Sequence, residues 1–193
     1  LDKSLGLLFH HFYENYSFRN DDRFLQSSEL TFDFSVFSFF MPLHYGACCY
    51  VVPNAGVKFV KIVQMLKEFD ITVFSIVPTI LKYIEKYLEE IELPQLRYTY
   101  FSGDALYSDL AEKWSKAAKK GKIFNCYGTT ESAVICSSYF FNELSEKESP
   151  NGLVPLGKPF ETMKIRIVNE ENETCEKGEL SLSGEQVISS NLN

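Results

Sequence analysis

Between residues 47 and 127, apolar runs of strand length alternate with segments of helical periodicity, and this alternation restricts the chain to few folds. Four runs rich in β-branched and aromatic residues are predicted to be strands, at residues 47–53, 71–77, 96–103 and 122–127. The segments between them place apolar residues at the spacing of an amphipathic helix. Successive strand–helix units predict an α/β fold, a parallel sheet with helices on both faces.

The helices and the remaining strand are predicted from the same periodicity. A core-packing helix is expected at 5–16, a short strand at 23–28, and a helix at 32–46 that breaks near Pro42. Because the run at 47–53 is apolar throughout, we expect a strand buried on both faces. Further helices are predicted at 57–69, from Pro78 onwards, and at 109–120, the last with Ser108 as N-cap.

The pattern changes after residue 152. Met163, Ile165 and Ile167 alternate with basic residues, an acidic loop follows, and a second alternating run occupies 179–184. We therefore predict an α/β unit over 1–152 and the start of a small antiparallel β unit over 153–193. Because the chain begins at Leu1 and stops without a closing element, we expect it to be a piece of a longer protein.

Composition excludes several classes of protein. The net charge of −7 argues against binding to nucleic acid or to an anionic membrane. The five cysteines form an odd set without CxxC spacing, which favours reduced thiols over disulfides or a metal cluster. No apolar run approaches the roughly 20 residues that cross a bilayer, and no signal peptide is recognisable. We expect a cytoplasmic location.

Three polar or small segments follow predicted parallel strands, at 77–79, 102–104 and 125–132. Ligands of such sheets bind beyond the carboxyl ends of the strands, so these segments are expected to converge. The third offers an aromatic ring at Tyr127, an amide at Asn125, hydroxyls, and the carboxylate of Glu131, which suit a nucleotide with Mg²⁺. The alternative is a polar turn without a ligand. Neither GxGxxG nor GxxxxGK[ST] is present.

Five segments resemble motifs of one family in the same order. They are FDFSV (32–36), FSGDAL (101–106), NCYGTTE (125–131), PLGKP (155–159) and GELSLSG (178–184). NCYGTTE is similar to an N-x-Y-G-P-T-E signature in which Thr129 replaces the proline. Together they resemble the adenylate-forming, or AMP-binding, enzymes, and among these the amino-acid adenylation domains and D-alanine–carrier-protein ligases.

The resemblance implies a site for ATP and Mg²⁺. Tyr127 would pack on adenine, Asn125 and the backbone at Gly103 and Asp104 would meet the base edge, Thr130 would contact the α-phosphate, and Glu131 would hold the metal. The implied catalytic residues are Thr130 and Glu131. The implied nucleotide-binding set is Ser102, Gly103, Asp104, Asn125, Cys126, Tyr127, Gly128 and Thr130.

The resemblance also implies a substrate pocket. Asp33 would pair with a substrate ammonium group, whereas an alternative reading makes Asp33 a helix N-cap. The other implied pocket residues are Phe34, Phe37, Ser75, Tyr100, Ser102, Cys126, Val134 and Ile135. Their size is compatible with a small amino acid such as alanine, although a large ring could also stack.

The implied reaction joins an amino acid to ATP and passes the aminoacyl group to a carrier-protein phosphopantetheine thiol or to coenzyme A. Alternatives are an acyl- or aryl-CoA ligase and a non-catalytic binding domain of the same fold. The family's phosphate loop, its Y-x-T-G-D segment and its catalytic lysine are not found in this sequence. We therefore expect the piece alone to be inactive.

Overall fold

The computed structural model describes residues 2–142, 149 and 151–188. Its helices are α1 (Asp2–Asn15), α2 (Phe34–His44), α3 (Lys58–Glu68), α4 (Pro78–Ile84) and α5 (Ser108–Ala117), with 3₁₀ turns at Glu85–Glu90 and Thr130–Ser132. Its strands are β1 (Arg23–Gln26), β2 (Cys48–Val51), β3 (Val73–Ile76), β4 (Tyr98–Phe101), β5 (Lys122–Tyr127), β6 (Ser137–Phe141), β7 (Lys158–Pro159), β8 (Met163–Val168) and β9 (Glu179–Gly184).

Seven of these strands form one sheet in the order β2-β1-β3-β4-β5-β6-β7. Strands β1 to β5 are mutually parallel, as predicted from the strand–helix alternation. Strands β6 and β7 continue the sheet in antiparallel orientation, which the sequence pattern did not predict. Strands β8 and β9 form a separate antiparallel pair, as expected for 163–168 and 179–184. The fold is thus an α/β sheet with a small antiparallel β unit.

Helices cover both faces of the sheet and bury a separate hydrophobic cluster on each. On one face, α3, α4 and α5 contribute Ile62, Leu81 and Trp114, all fully buried. On the other face, α1 and α2 contribute Phe12 and Phe37, also fully buried. A fully buried side chain of this size contributes about 1.5–3 kcal/mol relative to an exposed one, so the two clusters fix the helices on the sheet.

Strand β2 lies at the edge of the sheet, and the prediction that it is buried on both faces is wrong. Among the described strands β1 is its sole partner. Cys48 is exposed, and the side chain of Val51 is 58% exposed. An apolar run reports strand propensity, but its depth in the sheet depends on strand order, which local sequence does not encode.

Helix α2 contains Pro42 without ending there, so the predicted break is also wrong. A proline removes the hydrogen bond that its own N–H would donate to the carbonyl four residues earlier. That carbonyl, of Ser38, instead accepts from the Cys49 thiol of β2, at 3.8 Å. The neighbouring strand therefore partners the acceptor that the proline leaves free.

Helix α5 begins one residue earlier than predicted. Its N-cap position is Tyr107, and no side chain caps it, so Ser108 is not the cap. The Ser108 hydroxyl instead donates to the carbonyl of Gly152 at 3.1 Å. A tertiary contact with Gly152 thus uses the hydroxyl that the local sequence pattern predicted to cap the helix.

A buried carboxylate joins the amino ends of three parallel strands. Asp22 is 1% exposed and accepts from Arg97 Nη1 at 2.5 and 2.6 Å, from Thr72 Oγ1 at 2.7 Å, and from the backbone N–H of Arg19 at 2.8 Å. Asp22, Thr72 and Arg97 directly precede β1, β3 and β4. Because a desolvated carboxylate is costly unless fully hydrogen-bonded, this network ties the three strand starts together.

The segment after residue 152 crosses between the two sheets. Its first strand, β7, pairs with β6 in the large sheet, and β8 and β9 follow in the small one. The predicted unit boundary at 152 stays a prediction. Within the described residues, no helix combines the length and apolar character needed to cross a bilayer.

Candidate functional site

A cavity of about 330 Å³ lies at the carboxyl ends of β4 and β5. Eight of the predicted site residues line it, which are Asp33, Phe34, Ser102, Gly103, Gly128, Thr130, Glu131 and Val134. Phe32 and Thr129, which were not predicted as site residues, line it too. The strands are parallel, so the segments that follow them emerge at the same edge, and the start of α2 closes one side.

The loop between β5 and β6 supplies half of the cavity wall. After one 3₁₀ turn at Thr130–Ser132, the backbone reverses through Ala133 (φ 54°) and Val134 (φ 78°). A left-handed φ is uncommon for alanine and a clear outlier for a β-branched valine. Such conformations persist only where surrounding contacts enforce them, and they are frequent at ligand sites.

Thr129 is held within this turn by Ser132. The Thr129 backbone N–H donates to Ser132 Oγ at 2.9 Å, and Ser132 Oγ donates to the Thr129 carbonyl at 3.1 Å. A proline at this position, as in the family signature, could not make the first bond because it has no N–H. The threonine thus replaces the rigidity of a proline ring with a local hydrogen bond.

Gly128 is required by close backbone approach. A Cβ at this residue would lie 2.2 Å from the Val134 carbonyl oxygen and 2.6 Å from Ile135 Cα. Both are main-chain atoms and cannot rotate away. The glycine therefore lets the part of the loop at Val134 and Ile135 pack directly on the end of β5.

The segment after β4 turns sharply at Gly103, which has φ +88°. A Cβ there would be 3.1 Å from the Phe32 ring. Asp104 points to α4, where it accepts from the Thr79 hydroxyl, and it also accepts from the Ala105 N–H at 2.8 Å. These bonds, the Thr79 bond first, lower the pKa of Asp104. The segments at 77–79 and 102–104 are thereby joined, although Asp104 does not line the cavity.

Asp33 and Thr130 meet across the cavity. Thr130 Oγ1 donates to Asp33 Oδ2 at 2.7 Å. Asp33 occupies the N-cap position of α2, but its φ of −59° and ψ of −27° are helical and its side chain makes no capping bond. The alternative reading of Asp33 as a capping residue is therefore wrong. Its carboxylate faces the cavity, next to the hydroxyl that the resemblance assigns to phosphate.

Asn125 and Tyr127 lie beside the cavity and do not line it. Asn125 is 2% exposed, and its Nδ2 donates to the carbonyls of Val154 at 3.0 Å and Pro155 at 2.9 Å. Its amide group thus holds the segment that leads into β7. Tyr127 is half-buried, and its pKa is raised chiefly by burial and further by nearby Cys136.

The remaining predicted pocket residues are buried beneath the cavity. Phe37, Ser75, Tyr100, Cys126 and Ile135 are each at most 3% exposed. The Phe34 ring stacks on Phe37 with centroids 6.1 Å apart, and Phe37 meets Tyr100 edge-on at 5.2 Å. Burial raises the pKa of the Cys126 thiol. Phe34 and Val134 therefore form the floor of the cavity, with the aromatic cluster packed below them.

Sequence reasoning missed Gln186. This side chain is fully buried, and its Nε2 donates to the carbonyls of Ser132 at 2.7 Å and Ile135 at 2.5 Å. Two residues later, the Ile188 N–H donates to the Glu131 carbonyl at 2.8 Å. The turn after β9 thus bonds to three carbonyls of the cavity loop, those of Glu131, Ser132 and Ile135. A single glutamine after a strand carries no sequence signal for such a role.

The polar side chains of the cavity are better suited to bind a phosphate that carries Mg²⁺ than to bind a metal ion by protein ligands alone. Among the described residues, no group of three or more His, Cys, Asp or Glu side chains is placed to bind a metal ion. Glu131 is exposed at the cavity beside the Thr130 hydroxyl. Mg²⁺ is commonly held by one or two carboxylates together with substrate phosphates, and the exposed Glu131 carboxylate fits that mode.

Comparison with known proteins identifies relatives of this chain. Gramicidin S synthase 1 of Brevibacillus brevis is 31% identical over 179 residues, covering 90% of this chain and 15% of that protein. The Vibrio cholerae adenylation domain AlmE, solved with glycyl-adenosine-5'-phosphate, superposes with a TM-score of 0.87 and 32% identity, covering 99% of this chain and 37% of that one. IdnL7 superposes with a TM-score of 0.88 and 26% identity, covering 96% and 38%.

This chain therefore spans less than two fifths of each of these proteins. A family model described as AMP-binding enzyme matches residues 5–190, which is nearly the whole sequence. The motifs, the mixed sheet with its cavity at the strand ends, and these likenesses lead to one conclusion. The chain belongs to the AMP-binding enzyme family.

Proposed function

We propose that the chain is the substrate-holding part of a ligase that activates a small amino acid as its adenylate. The observation that carries the proposal is the position of Asp33, a carboxylate at the wall of the same cavity that contains Gly103, Thr130 and Glu131. An ammonium group is a fitting partner for a partly buried carboxylate beside an apolar floor. The Asp33–Thr130 bond at 2.7 Å indicates that both side chains reach the same point in the cavity.

The nucleotide would bind along the ends of β4 and β5. Gly103 has no side chain of its own that a flat base would have to displace, and the Tyr127 ring lies at the end of the neighbouring strand. Asn125 would act indirectly, by fixing the segment at 154–155. Thr130 would contact the α-phosphate, and Glu131 would hold Mg²⁺. When bound, the metal ion would neutralise phosphate charge.

The amino acid is proposed to have a small side chain. Phe34 and Val134 close the cavity where the side chain would extend, and Phe37 and Tyr100 fill the space behind them. A larger side chain would have to displace packed aromatic rings, which protein cores resist. The solved AlmE complex contains glycyl-adenosine-5'-phosphate, whose aminoacyl group is small.

The chain's residues would align the amino-acid carboxylate for attack on the α-phosphorus of ATP. The new bond joins a carboxylate oxygen to phosphorus, the bond to the β-phosphate oxygen breaks, and pyrophosphate leaves. Asp33 would hold the ammonium group and Thr130 would hold the α-phosphate, and the 2.7 Å bond between the two side chains would keep the reactants next to each other. The aminoacyl group would then pass to a carrier-protein phosphopantetheine thiol, or to coenzyme A, in the second half-reaction.

The test is amino-acid-dependent pyrophosphate exchange by the full-length parent protein. We expect exchange with glycine or alanine, weak exchange with phenylalanine, and loss of exchange in Asp33→Ala. Asp33→Asn is the matched variant, because it keeps the shape and removes the charge. Full exchange in both variants would refute the ammonium role. Consumption of coenzyme A with acids that lack an amine would instead identify an acyl- or aryl-CoA ligase.

A second measurement separates an enzyme from a binding domain. Titration of the parent with Mg·ATP is expected to saturate, and Glu131→Gln is expected to weaken the binding by about tenfold through loss of a metal ligand. Absence of Mg·ATP binding in both proteins would favour a non-catalytic domain of the same fold.

A further inference from the structure

We infer that Gln186 is a positioning residue for the site, and that it holds the loop of residues 130–135 in the conformation in which Ala133 and Val134 have a left-handed φ. Gln186 lies outside the cavity, in the turn that follows β9. The contacts of its side chain are seen in the structure, and their consequence for catalysis rests on the proposed function.

The contacts place Gln186 at both ends of the strained turn. Its Nε2 carries two hydrogens, and they are donated to the carbonyls of Ser132 and Ile135, which flank the two residues with positive φ. The amide orientation is fixed because both partners are carbonyl oxygens and accept only from a donor. A third contact, of 3.4 Å, joins Gln186 Oε1 to Thr162 Oγ1.

Burial makes these bonds hard to replace. Gln186 and Ser132 are both fully buried, so water does not reach the carbonyls if the amide is removed. Within the loop, the Ala133 N–H donates to the Thr130 carbonyl and the Val134 N–H to the Thr129 carbonyl, at 3.3 and 3.2 Å. Neither of these local bonds uses the carbonyl of Ser132 or Ile135, and both of those carbonyls accept from Gln186.

The loop carries residues with distinct proposed roles. Glu131 and Thr130 lie at its start, and Val134 forms part of the cavity floor. The Ile188 N–H, from the same turn as Gln186, holds the Glu131 carbonyl at 2.8 Å. Movement of the turn after β9 would therefore shift the metal-binding carboxylate and the floor together, which makes Gln186 a determinant of both rate and side-chain selectivity.

The test uses a graded series in the full-length parent. Gln186→Met keeps the length and removes both donors. Gln186→Glu keeps one donor, because a carboxyl group buried against two carbonyls is held protonated. Gln64→Met is the matched control, since Gln64 is exposed on α3. Hydrogen exchange of the amides of 130–136 is measured without any ligand, beside those of β3 as an internal reference.

We expect exchange in 130–136 to accelerate by about tenfold or more in Gln186→Met, less in Gln186→Glu, and not at all in the control, with β3 unchanged. The preference for glycine over phenylalanine in pyrophosphate exchange is expected to fall by about tenfold in Gln186→Met. A merely structural role would lower activity through loss of folded protein and leave that ratio intact.

The outcomes separate the two proposals. Unchanged hydrogen exchange in both Gln186 variants would overturn the inference, whatever the activity. Faster exchange with unaltered rate and selectivity would overturn the positioning role. Faster exchange in a parent that activates no amino acid would support the contact between Gln186 and the loop and refute the proposed function. If Gln186→Met does not fold, Gln186→Glu provides the same comparison.

Discussion

Replacing Gly128 by alanine tests whether the cavity depends on direct backbone packing. The substitution adds one methyl group at the end of β5, where the loop returns. That methyl carbon would lie 2.2 Å from the Val134 carbonyl oxygen, whereas ordinary contact begins at 3.4 Å. One of the two backbones must therefore move by about 1 Å.

The magnitude follows from that displacement. Overpacking of this kind lowers the free energy of unfolding by about 1–3 kcal/mol, and we expect the upper end because neither partner is a flexible side chain. A shift of about 1 Å in a positioned group lowers a catalysed rate by about a hundredfold. The same movement would tilt Val134 and change the cavity floor.

The assay is the rate of pyrophosphate exchange by the full-length parent at saturating substrates. We expect a fall of about a hundredfold in Gly128→Ala. Gly6→Ala is the control, because Gly6 lies exposed in α1 with no atom within 4 Å of its added Cβ. That variant is expected to keep its rate and to gain about 0.5–1 kcal/mol of stability. A Gly128→Ala protein within about threefold of the wild-type rate would refute the packing argument.

Three further predictions concern stability, measured by urea unfolding. Burial, and secondarily the charge of His10, lowers the pKa of His11 to about 4. Between pH 6.5 and 4, the unfolded state thus binds a proton at His11 that the folded state does not. As the pH falls through this window, we expect the free energy of unfolding to decrease by about 1–2 kcal/mol, after allowance for solvent screening. This pH dependence is expected to disappear in His11→Phe. Asn125→Asp removes both donors to the segment at 154–155 and is expected to cost about 2–4 kcal/mol; loss of nucleotide binding at unchanged stability would show instead that Asn125 acts on the base. Asp22→Asn is expected to cost about 3 kcal/mol, and adding Arg97→Met should restore part of it, since no unpaired charge then remains; a fully additive double variant would contradict this coupling.

The parallel part of the sheet could be predicted because its strands and helices are encoded by local sequence patterns. Strand β5 was predicted with the observed bounds, since glycines stand on both sides of a continuous strand run at 122–127. The expected meeting of 102–104 with 125–132 needed only the rule that parallel strands end at one edge. The resemblance to a family then supplied candidate roles for residues such as Asp33.

The features that the sequence did not predict depend on contacts between residues that are distant in the chain. The direction of β6 is set by its pairing with β5 and β7, and the exposure of β2 is set by its place in the strand order. Gln186 acts on carbonyls more than fifty residues earlier. Ser108 was assigned to a cap because its local pattern fits one, and a distant carbonyl at Gly152 took its hydroxyl.

The antiparallel pairing of β5 with β6 has a consequence for how this molecule acquires its structure. Tyr127 faces Ser137 across the pair, so the segment 128–136 closes a short hairpin, whereas β1 must find β3 across nearly fifty residues of chain. Short closures lose less chain entropy and form sooner. We therefore expect the β5–β6 hairpin to pair early during folding, before β1 pairs with β3, and the loop between β5 and β6 to reach its final conformation only when Gln186 contacts it.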